Sequence, residues 1–341
     1  MTTYYKITNH NENHNGYQYK DGLNILDKPF EKIGSCVPGG LYFTNLKYIK
    51  NFYQYGIWLR EIILPVDDPS FQIVVDPEGD KWRANKIILG KKYSLFNIET
   101  YDLFGLDMYS NNHIIDFAAK YDNIEFLEFW KQSGFKLNYS NQGIMSAGLN
   151  SKYNTIKFWC DNHLDFWQDM VDCICNFGNI EILQWLKDNK YKIKLSDKAI
   201  EFASSYGMVD VLHWWHNNGF HIQCKEVYII PAINNSCFQM LEWWKTNSNF
   251  KLTENIIKCI VMNKKCPIKL LDWFFSNNYE IGKFDEILEI ASKENKRDVL
   301  NWWKNNCTDF DYDEKLYRKA KKHKQKKIIK WWEDNFIPQL Q

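Results

Sequence analysis

Two histidines flank a pair of tryptophans in the stretch HWWH, which runs from His213 to His216. On a helix the two imidazoles would lie one turn apart, so a single metal ion could touch both. A zinc site needs three or four ligands, and the nearest cysteine, Cys224, follows the glycine at which the helix should end. The sequence therefore predicts ordinary exposed helix positions for both histidines and no metal site.

The nine cysteines are scattered along the chain. Cys173 and Cys175 are two residues apart, a spacing that points them to different sides of a helix, at places where comparable segments carry small residues. Cys259 and Cys266 are seven apart and could share a helix face, but no second pair completes a zinc set. We predict core packing for Cys173 and Cys175, and no bound metal or cofactor for the protein.

A strongly basic run lies between Lys315 and Lys330. Such a run could contact phosphates or an acidic partner. It could equally be the solvated face of a terminal repeat, because terminal repeats need a polar outer face. The sequence favours the cap, and if the run does bind a partner, Lys315, Lys319 and Lys322 share one helix face and are the candidate contacts.

Composition excludes several other classes of function. The net charge is +1, so no global field attracts nucleic acid or a membrane surface. No apolar run approaches the roughly 18 residues of a membrane span, and the opening residues MTTYYKITNH lack a secretory signal. No phosphate loop, dinucleotide fingerprint or nucleophile elbow occurs. We expect an intracellular protein, with reduced cysteines and no identifiable small-molecule substrate.

The tryptophan pair belongs to a set of eight aromatic or apolar pairs that recur every 27 to 30 residues. So even a spacing indicates internal repeats. Chance does not produce it, and the elements around each pair must therefore recur as well. The pairs are Phe129-Trp130, Phe158-Trp159, Trp185-Leu186, Trp214-Trp215, Trp243-Trp244, Trp273-Phe274, Trp302-Trp303 and Trp331-Trp332.

Each repeat is predicted to contain two helices. The stretch DKAIEFASSYG has apolar residues at helical spacing and ends at a glycine turn, and MVDVLHWWHNNG follows with a broad apolar face. Gly219 and Gly134 stand where a left-handed helix C-cap is expected, and Asn189, Asn278 and Asn306 stand near the same place in other repeats. Because one helix pair cannot bury its apolar surface alone, we predict that stacked pairs bury the tryptophans between repeats.

These repeats resemble ankyrin repeats. The stretch AIEFASSYGMVDVLHWWHNNGF has the small residue Ala203, the turn glycine Gly207, the opening Asp210-Val211 and the closing Asn218-Gly219 of that pattern. The unit is three or four residues shorter than usual and lacks the Thr-Pro-Leu-His tetrapeptide, so the β-hairpin fingers should be reduced or missing. The tryptophan pairs and the Asn/Lys/Ile-rich composition are similar to those of ankyrin-repeat proteins of giant DNA viruses such as mimiviruses.

The resemblance implies a mainly α protein, in which an ankyrin-like solenoid of about eight units occupies residues 113–337 and the last unit is a basic cap. It implies a non-catalytic scaffold or adaptor that binds a host or viral protein, in the host cytoplasm if the protein is viral. In ankyrin-like arrays the first helices line the concave side. The resemblance therefore makes Lys198, Glu201 and Ser205 the candidate partner-binding residues.

Residues 1–97 show no repeat and contain β-rich segments broken by proline and glycine, which predicts a small α+β domain. Residues 98–112 are the predicted junction. The order GGLYFTN, a helix in LKYIKNFYQYG, and IWLREIILP is similar to ADP-ribosyltransferase-like folds, and Tyr42 and Thr44 would be the matched positions. A catalytic Glu has no match. An enzyme whose target is recruited by the repeats is therefore the alternative function, and a non-catalytic domain the favoured one.

Overall fold

The computed structural model describes residues 3–279, 285–306 and 314–336. The chain divides into two compact units, Met1–Met170 and Val171–Gln341. The predicted end of the repeats at residue 337 lies outside the described residues.

The N-terminal part of the first unit is built from antiparallel strands. Strands β1, β6, β9 and β4 form a four-stranded sheet in that order, β5, β8 and β7 form a three-stranded sheet, and β2 pairs with β3. A bridge between Tyr5 and Thr44 continues β1 towards β5. The described strands are β1 Tyr4–Thr8, β2 Asn13–His14, β3 Tyr17–Gln18, β4 Gly22–Ile25, β5 Leu41–Phe43, β6 Trp58–Ile63, β7 Ile73–Val75, β8 Trp82–Ala84 and β9 Lys86–Ser94.

Alternate residues of β5 point into the core, whereas β1 is buried on both faces. Leu41 and Phe43 of β5 pack with Ile62, Ala84 and Ile87. The helix expected in LKYIKNFYQYG is a 3-10 helix over Ile49–Tyr55. It ends at Gly56, where a Cβ atom would lie 2.1 Å from the carbonyl oxygen of Thr8, so only glycine allows the chain to pass this close to β1.

Helices begin after the last strand. The first unit contains α1 Ile98–Phe104, α2 Ile114–Lys120, α3 Ile124–Ser133, α4 Asn141–Leu149 and α5 Tyr153–Asp161, and α6 Trp167–Phe177 contains the division between the units. The ring of Phe104 packs edge-on against Tyr5 at 5.4 Å and Tyr93 at 4.8 Å. Asn111 donates a hydrogen bond to the buried hydroxyl of Tyr101 at 3.0 Å. The segment that follows β9 is therefore packed against the sheet.

The second unit is entirely helical in its described residues. First helices pack in series, α8 on α10, α10 on α12, α12 on α14 and α14 on α16, and each also packs on the second helix of its own repeat. Its helices are α7 Ile180–Asp188, α8 Asp197–Tyr206, α9 Val209–Asn217, α10 Glu226–Asn235, α11 Phe238–Asn247, α12 Glu254–Met262, α13 Pro267–Ser276, α14 Asp285–Lys293, α15 Arg297–Asn306, α16 Glu314–Lys322 and α17 Lys326–Asn335.

Helices α2 to α17 form eight successive pairs, which confirms the prediction of a helical-repeat array after a small α+β region. The described residues after Ser94 include no strand, as the missing tetrapeptide predicts. None of the described helices is long and apolar enough to cross a membrane.

The glycine caps are where the sequence places them. Gly134 and Gly219 have φ angles of 71° and 81°, in the left-handed region. Asn278, with φ 59°, has the same role. Asn189 and Asn306 do not have this cap role, because each stands one residue earlier. The side-chain amide of Asn189 donates to the carbonyl of Trp185, and that of Asn306 to the carbonyl of Trp302, both at 2.8 Å. An asparagine follows seven of the eight pairs, and its side chain satisfies a carbonyl at the helix end.

Candidate functional site

The tryptophan pairs form the core of the repeats. Trp159, Trp215, Trp244 and Trp303 are at most 2% exposed, and Trp214 is 8% exposed. Partners within a pair pack edge-on, as at 5.1 Å between the rings of Trp214 and Trp215. The burial of the rings confirms the sequence prediction, and it leaves them unable to form an open aromatic binding surface.

The first tryptophan of several pairs donates a hydrogen bond to the preceding repeat. Its acceptor is the polar side chain that comes just before the pair there, because that position faces the next repeat. This series, which we call the indole ladder, comprises Trp214 with Gln184 at 2.9 Å, Trp273 with Glu242 at 2.6 Å, Trp302 with Asp272 at 2.6 Å and Trp331 with Asn301 at 2.5 Å.

The second tryptophan of a pair reaches a small polar side chain on the first helix of the preceding repeat. The indole nitrogen of Trp215 donates to the Sγ of Cys175, and that of Trp244 to the Oγ of Ser204, both at 3.3 Å. Cys173 and Cys175 are both buried, as predicted. Burial raises the pKa of Cys175 to about 12, so this thiol is a packing and acceptor group and not a reactive one.

His213 and His216 are exposed side chains that contact the next repeat. Both imidazoles stand edge-on to the ring of Trp243, at 6.0 Å and 6.3 Å. The described residues contain no group of three or more His, Cys, Asp or Glu side chains that could hold a metal ion. His213 occupies the acceptor position of the indole ladder, yet the buried indole nitrogen of Trp243 has no hydrogen-bond partner.

Replacing His213 by glutamine is expected to raise the free energy of unfolding by about 1 kcal/mol, because a buried N–H would gain an acceptor. Gln184 already makes this bond to Trp214 one repeat earlier. Urea denaturation followed by circular dichroism measures the change. His216→Gln is the matched control, because His216 contacts the same Trp243 ring but does not occupy the acceptor position of the indole ladder. Equal stability of wild type and His213→Gln would show that the ladder contributes no stability at this position.

A second polar series joins second helices of neighbouring repeats. The ammonium of Lys304 donates to the amide oxygen of Asn335 at 2.6 Å, and Lys187 and Lys245 make the same bond to Asn218 and Asn277. His216 stands at the equivalent lysine position. The stretch HWWH is therefore a core pair flanked by two contact positions between repeats.

The candidate binding residues on α8 lie on its solvent face. Lys198 and Glu201 are exposed and Ser205 is partly exposed, whereas Ala199, Ile200 and Ala203 on the other side are buried. The hydroxyl of Ser205 donates to the carbonyl of Glu201 at 2.8 Å. The structure thus brings these three residues together on one face of the first helix.

The solvent faces of neighbouring first helices also carry apolar side chains, which sequence reasoning missed. Tyr206 of α8 is 64% exposed, Val227 of α10 is 48% exposed and Met262 of α12 is 44% exposed. We define the first-helix surface as these three residues with Lys198 and Glu201. The sequence did contain a signal for this exposure. Val227 and Met262 stand at the helix positions that Lys198 and Ser205 occupy in α8, and those positions were predicted to be exposed.

The basic end retains only part of the predicted contact face. Lys315 and Lys322 are exposed, but Lys319 forms a salt bridge with Glu289 on the preceding first helix. The hydrogen bond from Lys319 lowers the pKa of the Glu289 carboxyl. Arg318 pairs with Glu314 at 2.7 Å. Lys319 is therefore already occupied within the fold.

A cavity of about 450 Å³ lies within the strand region of the first unit. Tyr42 and Thr44 both line it, together with Lys6, His14 and Tyr19. The hydroxyl of Tyr42 donates to the carbonyl of Val37 at 3.0 Å, and that of Thr44 to the carbonyl of Asp80 at 2.6 Å. Among the lining residues the one carboxylate is Asp27. No glutamate lines the wall where a transferase would need one.

Comparison with known proteins places the chain among viral repeat proteins. No family model matches it. An ankyrin repeat protein of Acanthamoeba polyphaga mimivirus is 45% identical over 130 residues, which are 37% of this chain and 64% of that protein. A second is 40% identical over 135 residues, 38% of this chain and 41% of that protein. An uncharacterised protein of the same virus is 46% identical over 118 residues, 33% of this chain and 85% of that protein.

The matched part of the chain spans less than two thirds of the two ankyrin repeat relatives. It spans 85% of the uncharacterised relative at 46% identity. With the eight helix pairs, the left-handed glycine caps and the paired aromatic core, these matches show that the chain belongs to the mimivirus group of divergent ankyrin-repeat proteins.

Proposed function

We propose that this protein is a non-catalytic scaffold or adaptor that binds another protein through its first-helix surface. The single observation that carries the proposal is the exposure of Tyr206, Val227 and Met262 on successive packed first helices, beside Lys198 and Glu201. Apolar side chains within a charged surround are typical of protein-binding surfaces. The relationship to ankyrin-repeat proteins supports a role in protein interaction.

We propose a host or viral protein as the partner, in the host cytoplasm, because the relatives are mimivirus proteins. A nucleic-acid partner at the basic end is less favoured. Glu289 neutralises Lys319 and Glu314 neutralises Arg318, which reduces the charge available to phosphates. The basic end is better explained as a solvated cap, with Ala320 buried on its inner face.

Residues 1–97, 98–112 and 113–337 remain our proposed division into a strand domain, a junction and the repeats. In its support, the last strand ends at Ser94 and the described elements beyond it are helical. The first repeats nevertheless share a compact unit with the strands. The ring of Phe96 packs against Phe126 of α3 at 5.2 Å, which is one contact that joins them.

The binding surface can be tested by affinity capture from infected amoebae with matched variants. We expect Tyr206→Glu, Val227→Glu and Met262→Glu together to remove the captured partner, because each places a charge in the apolar contact. Asp210→Lys with Lys269→Glu, which changes exposed residues of second helices, should retain it. If the first-helix variant still captures the partner, or if both variants lose it, the binding surface lies elsewhere.

The alternative is an ADP-ribosyltransferase-like activity of the strand region, and one observation favours it: Tyr42 and Thr44 line a common cavity. Incubation with labelled NAD and host lysate separates the two functions. We expect no transfer of label, since both hydroxyls already bind backbone carbonyls and no glutamate lines the cavity. Transfer that disappears in Tyr42→Ala would replace the scaffold by the enzyme.

A further inference from the structure

Lys6 is a buried cation without a counter-charge. It lies in the middle of β1, its side chain is only 7% exposed, and its Nζ donates to the carbonyl of Tyr42 at 2.8 Å and stands 4.8 Å from the ring centre of Tyr19. Among the described residues no carboxylate is within salt-bridge distance of this nitrogen. A buried charge is stable only when it is paired or solvated by hydrogen bonds, and an ammonium has three donors.

The other buried cations of the first unit are paired. Arg60 contacts Glu12 at 3.4 Å and also Asp21. Arg83 contacts Asp76 at 3.1 Å, and Lys81 contacts Asp76 at 3.5 Å and also Glu78. Among the buried cations that the structure describes, only Lys6 lacks a carboxylate partner, and Lys6 lines the cavity.

The space in front of Lys6 is walled by aromatic rings. Tyr17, Phe43, Phe52 and Tyr55 line the cavity with Tyr19, and the imidazole of His14 stands edge-on to Tyr55 at 5.0 Å. Its 450 Å³ is within the range of ligand sites, which combine apolar walls with a few polar groups. The flat rings and the buried ammonium of Lys6, with the exposed Lys28 at the wall, select for a flat anionic ligand.

We propose that this cavity binds a small aromatic anion, with its charged group held by the Nζ of Lys6 and its ring packed among the surrounding tyrosines and phenylalanines. The anion supplies a counter-charge for Lys6. It also accepts hydrogen bonds from the N–H groups of Lys6 that do not bind the carbonyl of Tyr42. The exposed carboxylate of Asp27 is at the cavity wall but remains in solvent. Lys81 is already neutralised by Asp76 and Glu78.

The ionisation of the wall supports this assignment. Burial lowers the pKa of Lys6 to about 8. Burial, and then the charge of Lys6, lower the pKa of His14 to about 4. The surroundings of Lys6 and His14 therefore disfavour their protonated forms, and a bound anion would favour them. The other titratable groups that line this space are Tyr5, Tyr17, Tyr19, Tyr42, Tyr55, Asp27, Lys28, Cys36 and Lys81. Anion affinity should fall as the pH rises above about 8, where Lys6 loses its proton.

The test uses two fluorescent probes that differ by one sulfonate group, anilinonaphthalenesulfonate and the uncharged N-phenylnaphthylamine. We expect Lys6→Met to weaken sulfonate binding at least about tenfold, the effect of losing one charge-assisted hydrogen bond, and to leave the uncharged probe bound as before. Lys47→Met removes an exposed lysine outside the cavity and should change neither. Equal sulfonate affinity in wild type and Lys6→Met, or no sulfonate binding by wild type, overturns the proposal.

Two further measurements do not need the Lys6 variant to fold. In wild type, sulfonate affinity should fall above about pH 8 while affinity for the uncharged probe stays constant, and parallel profiles would contradict the proposal. Displacement of the sulfonate by adenosine monophosphate identifies a phosphate-bearing ligand, and displacement by benzoate a carboxylate. If neither displaces it at millimolar concentration, the cavity does not accept small phosphate- or carboxylate-bearing aromatic compounds, and the proposal is overturned.

Discussion

Replacing Trp215 by alanine is expected to lower the free energy of unfolding of the second unit by about 3–5 kcal/mol. The ring is 0% exposed, packs edge-on against Trp214 at 5.1 Å and Phe220 at 4.4 Å, and donates to Cys175. Its removal leaves a cavity between repeats that fixed helices cannot fill, because each helix is also held by its other neighbours. Lost apolar burial and the unfilled volume both add to the cost.

Urea denaturation followed by far-ultraviolet circular dichroism measures this loss. Hydrogen exchange shows whether it is confined to the repeats around α9, since repeat arrays can unfold locally. Trp273→Ala removes a partly exposed ring from the first position of another pair and is expected to cost less than half as much. A loss of less than about 1 kcal/mol for Trp215→Ala, the size of an average substitution, would mean that the pair is not the core of the array.

The second large effect is expected for Asp76→Asn, which should cost the strand region about 3–5 kcal/mol, because it leaves the buried charge of Arg83 unpaired. Both side chains of this pair are fully buried, and Nη1 of Arg83 is 3.1 Å from the carboxylate. Arg83 also donates to the carbonyls of Glu31 at 2.8 Å and Gly34 at 2.7 Å. The pair therefore fixes the loop that forms part of the cavity wall.

The effect of Asp76→Asn should depend on pH. Burial alone would raise the pKa of Asp76, but hydrogen bonds from Ser35 and from the backbone of Glu78, with the charge of Lys81, outweigh it and hold the pKa below its usual value. The contribution of this carboxylate is therefore present above its unfolded pKa of about 4 and is lost as the pH falls through the lower folded value. The difference in the free energy of unfolding between wild type and Asp76→Asn should therefore become smaller at acidic pH.

Thermal unfolding between neutral and acidic pH measures that gap. Glu78→Gln is the control, because the Glu78 side chain is 56% exposed and its ion pair with Lys81 should contribute at most about 1 kcal/mol. A gap that stays constant down to strongly acidic pH would show that the charge of Asp76 does not stabilise the fold.

The repeat array could be predicted from the sequence because its determinants are local. A helix of nine or ten residues buries the side chains at every third or fourth position, so the apolar pattern around Trp214 and Trp215 already specifies which rings face inward. Gly219 marks a helix end by its backbone conformation, and Cys175 fits a small core position. These features need no knowledge of neighbouring repeats beyond the fact that the unit recurs.

Other features depended on how elements meet across the chain. The acceptors of the indole ladder are 30 or 31 residues from their tryptophans, and the sequence does not show that the residue before one pair faces the next pair. For the same reason the sequence assigned His213 and His216 to solvent but not to the edge of Trp243. The exposed Val227 and Met262 were missed because apolar residues at helical spacing normally predict a core.

Lys6 shows most clearly the difference between what the local sequence predicts and what tertiary contacts decide. By itself the segment TYYKITNH indicates a strand with a polar residue inside it. The pairing of β1 with β6, together with the bridge from Tyr5 to Thr44, encloses that lysine opposite Arg60 and beside Tyr42 and Tyr19. The carboxylates that pair with Arg60 and Arg83 are not within salt-bridge distance of it. Local periodicity determined the helices, their caps and the tryptophan core. Tertiary pairing decided which polar groups meet, because contacts between residues far apart in the chain leave no periodic signal in it.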